Sequence, residues 1–212
     1  MLGLINASGL PDPSGMTEIL NGLSQAVVQT DVTLWSDEHC RLFEAGVVCP
    51  INESAYIRRD KGTILSDICG FYNAFGFSLD TDVGEKADHL LGELQFLSVL
   101  LVMSAEAQKL GHEEKAQITR DATASFAQDH LGEWVFAFCD RLGQSTSLAL
   151  YQHTAALLAM IYSGICDSHG IPLHDPLAIL ETEPDDGTPY ECGMAEGCKA
   201  NAECGLPDGE PA

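Results

Sequence analysis

The sequence predicts an all-α fold: a single helical bundle built around one long central helix, followed by a flexible acidic C-terminal tail. Three observations carry this reading. Apolar residues recur at three- and four-residue intervals over most of the chain, and no run alternates apolar and polar residues in the manner of a strand. In addition, Gly46, Gly76, Gly111, Gly132, Gly143 and Gly170 stand at or just past the ends of the periodic runs, where a left-handed residue is often required.

Taken in order, the periodicity predicts helices over residues 16–29, 36–45, 64–75, 85–110, 113–130, 133–142 and 145–168. In the third, Ile68, Phe71, Tyr72 and Phe75 share one face. In the fourth, Glu85, His89, Glu93, Phe96 and Leu100 form one stripe beside an apolar stripe of Leu90, Leu94, Leu97 and Leu101, which places the polar groups at a core boundary. At 1.5 Å per residue that helix would be about 39 Å long, and it is expected to run through the centre of the bundle. The last helix carries no charge between Leu148 and Cys166 and is expected to be buried on most sides.

Composition shifts at Ile171. Six prolines follow, and residues 181–212 hold nine acids against the single base Lys199, so this tail is expected to be disordered. The predicted organisation is an N-terminal extension over 1–15, one helical domain over 16–180 and the tail over 181–212. A length of 212 residues permits either one or two domains, and one domain plus a tail is the favoured reading.

Ten basic residues against thirty-two acidic ones give a net charge of −22. Such a surface repels nucleic-acid phosphates and anionic lipid, so neither is an expected partner; its complement is a cationic protein segment, although charge also serves plain solubility. The first sixteen residues lack Lys and Arg and are broken by glycine and proline, unlike an export signal, so a cytoplasmic location is expected. The most apolar window, residues 94–103, is only ten residues long, against the ~20 a membrane-spanning helix needs, and no membrane insertion is expected. Cys40, Cys49, Cys69, Cys139 and Cys166, scattered among apolar helical positions, read as buried reduced thiols.

Several constellations are candidates for function. The face of Phe71, Tyr72 and Phe75 either packs in the core or lines a groove that holds apolar peptide side chains; an exposed Tyr72 would favour the groove. Asp88, His89 and Glu93, joined by Phe96, set acids and an imidazole near the start of the long helix, where His89 and Glu93 are an i, i+4 pair able to hydrogen-bond and Asp88 is placed to cap. A second acid–imidazole pair, Asp129 and His130, precedes Trp134. It suggests the other side of one site, or else a helix corner in which the imidazole and indole N–H satisfy free carbonyls.

Cys192, Cys198 and Cys204 are evenly spaced but lack a C-x2-C clamp and supply three thiolates only, a weak metal signal. A di-metal centre built on the acid–imidazole pairs would need Glu-x-x-His repeats, which are missing. No phosphate loop, nucleophile elbow or His-Glu-x-x-His motif is present, so no catalytic residue and no cofactor is expected.

Four segments occur in an order that resembles one known family. Asn52-Glu-Ser-Ala-Tyr56, Leu65 to Gly76 with its Asp67-x-x-Gly-Phe-Tyr-x-Ala-Phe-Gly pattern, Asp88-His89 with Glu93-Leu-x-Phe-Leu97, and Asp129-His-Leu-Gly-Glu-Trp134 together resemble the TorD/DmsD/NarJ family over about residues 16–168. Ala87 stands where many members have proline. The resemblance implies an all-helical cytoplasmic chaperone without enzymatic activity. Such a protein would bind the twin-arginine signal of a molybdenum-containing oxidoreductase of the dimethyl sulfoxide reductase type until that client has its cofactor. The implied partners are the client's catalytic subunit and its signal peptide, the chaperone itself being a monomer or a homodimer. The expected peptide-binding surface is Phe71, Tyr72, Phe75, Asp88, His89, Glu93, Phe96, Asp129, His130 and Trp134. The reading from another class is a metal-binding protein or small helical metalloenzyme that uses the tail cysteines or the acid–imidazole pairs.

Overall fold

The computed structural model describes residues 13–45, 47–78 and 86–173, and among them the fold is all-α. The helices are α1 (Pro13–Gln29), α2 (Val32–His39), α3 (Lys61–Ala74), α4 (Leu90–Lys109), α5 (Glu113–Phe126), α6 (Gly132–Ser145) and α7 (Ala149–His169). A short 3-10 turn, Glu53–Ala55, precedes α3. The expected tail, with Cys192, Cys198 and Cys204, and position 85 lie outside the described residues.

Local chemistry sets the boundaries. Asp31 caps α2 by accepting the Thr33 and Leu34 N–H groups, and Asp60 caps α3 by accepting the Thr63 N–H. Gly76, Gly111 and Gly170 take positive φ of 79°, 71° and 67° after α3, α4 and α7, as their positions in the sequence predict. Gly143 instead lies inside α6, and Gly132 does not end a helix at all.

α5 runs on through a wide π turn, Ala127–Leu131, directly into α6, so a corner expected at Gly132 is replaced by one continuous helical run. In a π turn the N–H bonds five residues back, and here the Gly132 N–H reaches the Ala127 carbonyl with Gly132 at an ordinary helical φ of −60°. The same carbonyl accepts the Tyr162 hydroxyl at 2.5 Å. A Cβ on residue 132 would sit 3.0 Å from the Ala127 oxygen and 3.3 Å from the Tyr162 hydroxyl. Glycine is thus needed here for close approach, not for a left-handed turn.

α4 packs chiefly on α5, α6 on α7, and α1 on α7. The deepest burial follows the run from Phe126 through Leu131, Trp134 and Val135, with Phe138 and Leu142 nearly closed off beside it. α4 has 20 residues, about 30 Å, and begins at Leu90. By length and composition it is long and apolar enough to cross a membrane, more so than its ten-residue apolar core suggests. In the bundle it turns Leu90, Phe96, Leu97 and Leu100 inward and leaves Leu91 and Val102 exposed. α7 packs against both α6 and α1: Tyr151, Ala155, Tyr162 and Cys166 are buried and Leu158 and Ile165 half-buried, whereas Ile161 is exposed, so the helix keeps a solvent-facing strip that its lack of charge does not reveal. Of the scattered thiols, Cys49, Cys139 and Cys166 are buried, but Cys40 is exposed and Cys69 half-buried. Burial pushes the Cys49 thiol up to about 11 and the Cys139 thiol up to about 12, which keeps both protonated and unreactive.

Candidate functional site

The site grows outward from the 3-10 turn. Glu53 is fully buried, and its carboxylate meets the buried His130 at 3.1 Å through Nδ1. Burial raises the Glu53 pKa, while the hydrogen bond and charge of His130 and the charge of Arg59 oppose the rise. The π turn is what brings His130 there, and it leaves Asp129 beside it exposed at the surface. Arg59, on the segment between the 3-10 turn and α3, closes over the pair. Its Nη2 lies 2.8 Å from Glu133 Oε2 and 3.7 Å from Glu53 Oε1, and donates to the Asp129 carbonyl at 3.3 Å.

Above these groups opens a groove of about 560 Å³ between α3 and the π turn. Its walls are Ser66, Asp67, Gly70, Phe71 and Ala74 from α3 and Asp129, His130 and Glu133 from the other side, together with Arg59. Phe71 is half-buried, its ring edge-on to Phe126 at 5.2 Å and to His130 at 5.7 Å, so it is held by the core yet reachable from solvent. The arrangement offers one ring, an imidazole and several carboxylates to a ligand that is cationic in part and apolar in part.

Three of the residues expected in the site, Phe71, Asp129 and His130, line this groove. Others lie in the interior. Tyr72, whose exposure would have favoured its place in a groove, is buried and donates its hydroxyl to the Ala87 carbonyl at 3.1 Å, packed on Phe96 at a ring distance of 4.8 Å, as the core alternative has it. Phe75 is half-buried against Phe96. Trp134 is sealed beneath the groove, stacked on Tyr56 at 5.3 Å, and its indole N–H finds no acceptor, contrary to the carbonyl partner a corner would have given it.

The predicted His89–Glu93 pair does not form. The chain is still extended at His89, which caps α4 by accepting the Leu91 N–H at Nδ1. Glu93, one turn later, points into the core and not to its boundary. Asp88 is buried too and serves a different element: it accepts the Asn52 side chain at 3.1 Å and the Ser54 N–H at 3.2 Å, capping the 3-10 turn instead of α4. The two acid–imidazole segments therefore do meet, but through that turn, with Asp88 holding its backbone and His130 holding its Glu53 side chain.

Glu93 is the strained member of this core. Neither carboxyl oxygen has a hydrogen-bond partner. Its pKa stands well above the usual carboxylate range, first from burial and then from the neighbouring Glu53 and Asp88 charges, with the Trp134 indole N–H opposing without closing a hydrogen bond.

Sequence reasoning missed Arg59, Asp67 and Glu133 as members of the groove, and Glu53 as its buried floor. Glu53 and Glu133 lay inside the quoted motifs, and the signal for Glu53 was an acid three residues before Tyr56, the stacking partner of Trp134. Among the described residues no group of three His, Cys, Asp or Glu is placed to hold a metal ion.

The family model described as nitrate reductase delta subunit matches residues 11–140. The chaperone protein TorD of Vibrio parahaemolyticus is 32% identical over 84 residues, 40% of this chain and 38% of that protein. The selenate reductase assembly chaperone protein of Thauera selenatis is 35% identical over 94 residues, 44% of this chain and 47% of that one. The chlorate reductase assembly chaperone protein of Ideonella dechloratans is 33% identical over 97 residues, 45% and 49% respectively. In each case the match spans less than half the relative's length. No solved structure matches.

Proposed function

Because the chain belongs to the nitrate reductase delta subunit family, the TorD/NarJ group, we propose that it is an assembly chaperone for a molybdenum-containing oxidoreductase of the dimethyl sulfoxide reductase type. It holds the twin-arginine signal or N-terminus of the client's catalytic subunit, in the cytoplasm, until the cofactor is in place. Relatives named as chaperones of TorD type and of selenate and chlorate reductase assembly support this reading. The observation that carries it is the groove in which the Phe71 ring stands beside the Asp129 and Glu133 carboxylates over a fixed His130–Glu53 floor.

Such a groove suits a segment with arginines ahead of an apolar stretch. Magnitudes rank the two parts. Two exposed arginine–carboxylate contacts give about 0.4 to 2 kcal/mol together, whereas micromolar binding needs about 8 kcal/mol, so apolar contact supplies most of the affinity. Charge sets orientation and encounter rate.

Calorimetry with the client's signal peptide tests this. Phe71→Ala is expected to weaken binding about tenfold or more, and Asp129→Asn by no more than about fivefold. Losses that are equal, or larger for Asp129→Asn, contradict the ranking. A wild-type protein that binds equally well a peptide with its arginines changed to glutamine and its apolar run made polar sinks the proposal.

A further inference from the structure

Arg59 occupies the groove in the way an arginine from outside would. Its side chain is 40% exposed, and its guanidinium meets three oxygens: Glu133 Oε2 at 2.8 Å, the Asp129 carbonyl at 3.3 Å and buried Glu53 Oε1 at 3.7 Å. All three contacts run through Nη2, and several oxygens converging on a guanidinium is a setting in which proteins hold arginine. The same groove also holds Asp67, which has no ion-pair partner among the described residues, and the exposed side chain of Asp129. The acidic wall is therefore half filled by the chain's own cation and half open.

We propose that Arg59 is a built-in competitor: it sits in the deeper guanidinium position of the groove, and an incoming arginine-bearing segment must displace it or settle for the outer Asp67 and Asp129 side. This rests on the reading of the groove as a site for a cationic, partly apolar segment, and adds a regulatory element to it. The carboxylates the arginine vacates pass to the ligand, while Glu53 keeps its bond to His130. Arg59 is suited to yield, because it is anchored on irregular backbone between the 3-10 turn and α3, and its one short contact is to a partly exposed carboxylate. An exposed pair of this kind is weak enough to be exchanged. The competitor makes the chaperone selective: a lone positive charge fails to displace it, whereas two adjacent arginines can fill the inner and outer positions together.

The test is a titration of wild type and Arg59→Gln with two synthetic peptides, one carrying adjacent arginines before an apolar run, the other with both arginines changed to glutamine. Wild type is expected to prefer the arginine peptide. Arg59→Gln is expected to bind that peptide about three- to tenfold tighter, with the glutamine peptide unchanged. Equal or weaker binding of the arginine peptide by Arg59→Gln, with the wild-type preference intact, overturns the competitor and leaves the groove reading standing. No preference in wild type overturns the groove reading and the competitor with it. Should Arg59→Gln not fold, Arg59→Lys keeps the charge over Glu53 but loses the guanidinium; tightening of about twofold is expected, and its absence counts against the proposal in the same way.

Discussion

At the scale of the residue, a carboxylic acid without a partner in the core has a measurable signature. The Glu93 pKa is raised in the folded chain, so above the ordinary carboxylate range the unfolded state ionises while the folded state still holds its proton. Whatever Glu93 adds to stability is present below its unfolded pKa and is lost as pH climbs toward the folded value. Glu93→Gln removes that loss. Its stability relative to wild type is expected to start near zero at about pH 4 and to grow by about 1.4 kcal/mol per pH unit until the folded Glu93 ionises, as read by chemical denaturation across pH 4 to 8. A difference independent of pH would show Glu93 to be charged in the fold. Such behaviour was not legible in the sequence. Glu93 reads as a boundary residue because helical spacing fixes its angle on α4 but not how much of the bundle covers that angle. Trp134 closes over it from α6, and that contact is tertiary.

At the scale of the element, helices were the most legible feature, since their apolar spacing and their glycine ends at Gly76, Gly111 and Gly170 are local properties. The π turn was not, because one extra residue in a helix leaves no change in composition, and Gly132 beside it imitates a stop. Gly132→Ala is expected to cost about 1–3 kcal/mol by pushing a methyl group into the Ala127 carbonyl and the Tyr162 hydroxyl. Pairing it with Tyr162→Phe, which removes the hydroxyl, should recover part of that loss, so that the two changes are not additive in denaturant midpoints. Strict additivity would mean that the turn yields without reference to Tyr162. The start of α4 was misjudged for a related reason: His89 carries a side chain that fits the helical stripe, yet its backbone is extended and its ring accepts the Leu91 N–H. Capping residues imitate the periodicity of the helix they end.

At the scale of the whole molecule, a net charge of −22 acts on encounter more than on grip. Raising ionic strength from about 20 to about 300 mM is expected to slow association of the arginine peptide severalfold while changing its dissociation much less, as stopped-flow fluorescence would read. A dissociation rate that carries most of the salt effect would place the charges in the contact itself. The molecule's layout also depends on arithmetic as much as on chemistry. A surplus residue taken up at 127–131 turns everything beyond it by about 100° about the helix axis. A chain one residue shorter there, with each acid, imidazole and ring retained, would aim His130 away from Glu53 or Trp134 away from Tyr56. Insertion length, and not side-chain identity alone, is thus a heritable determinant of whether this groove exists.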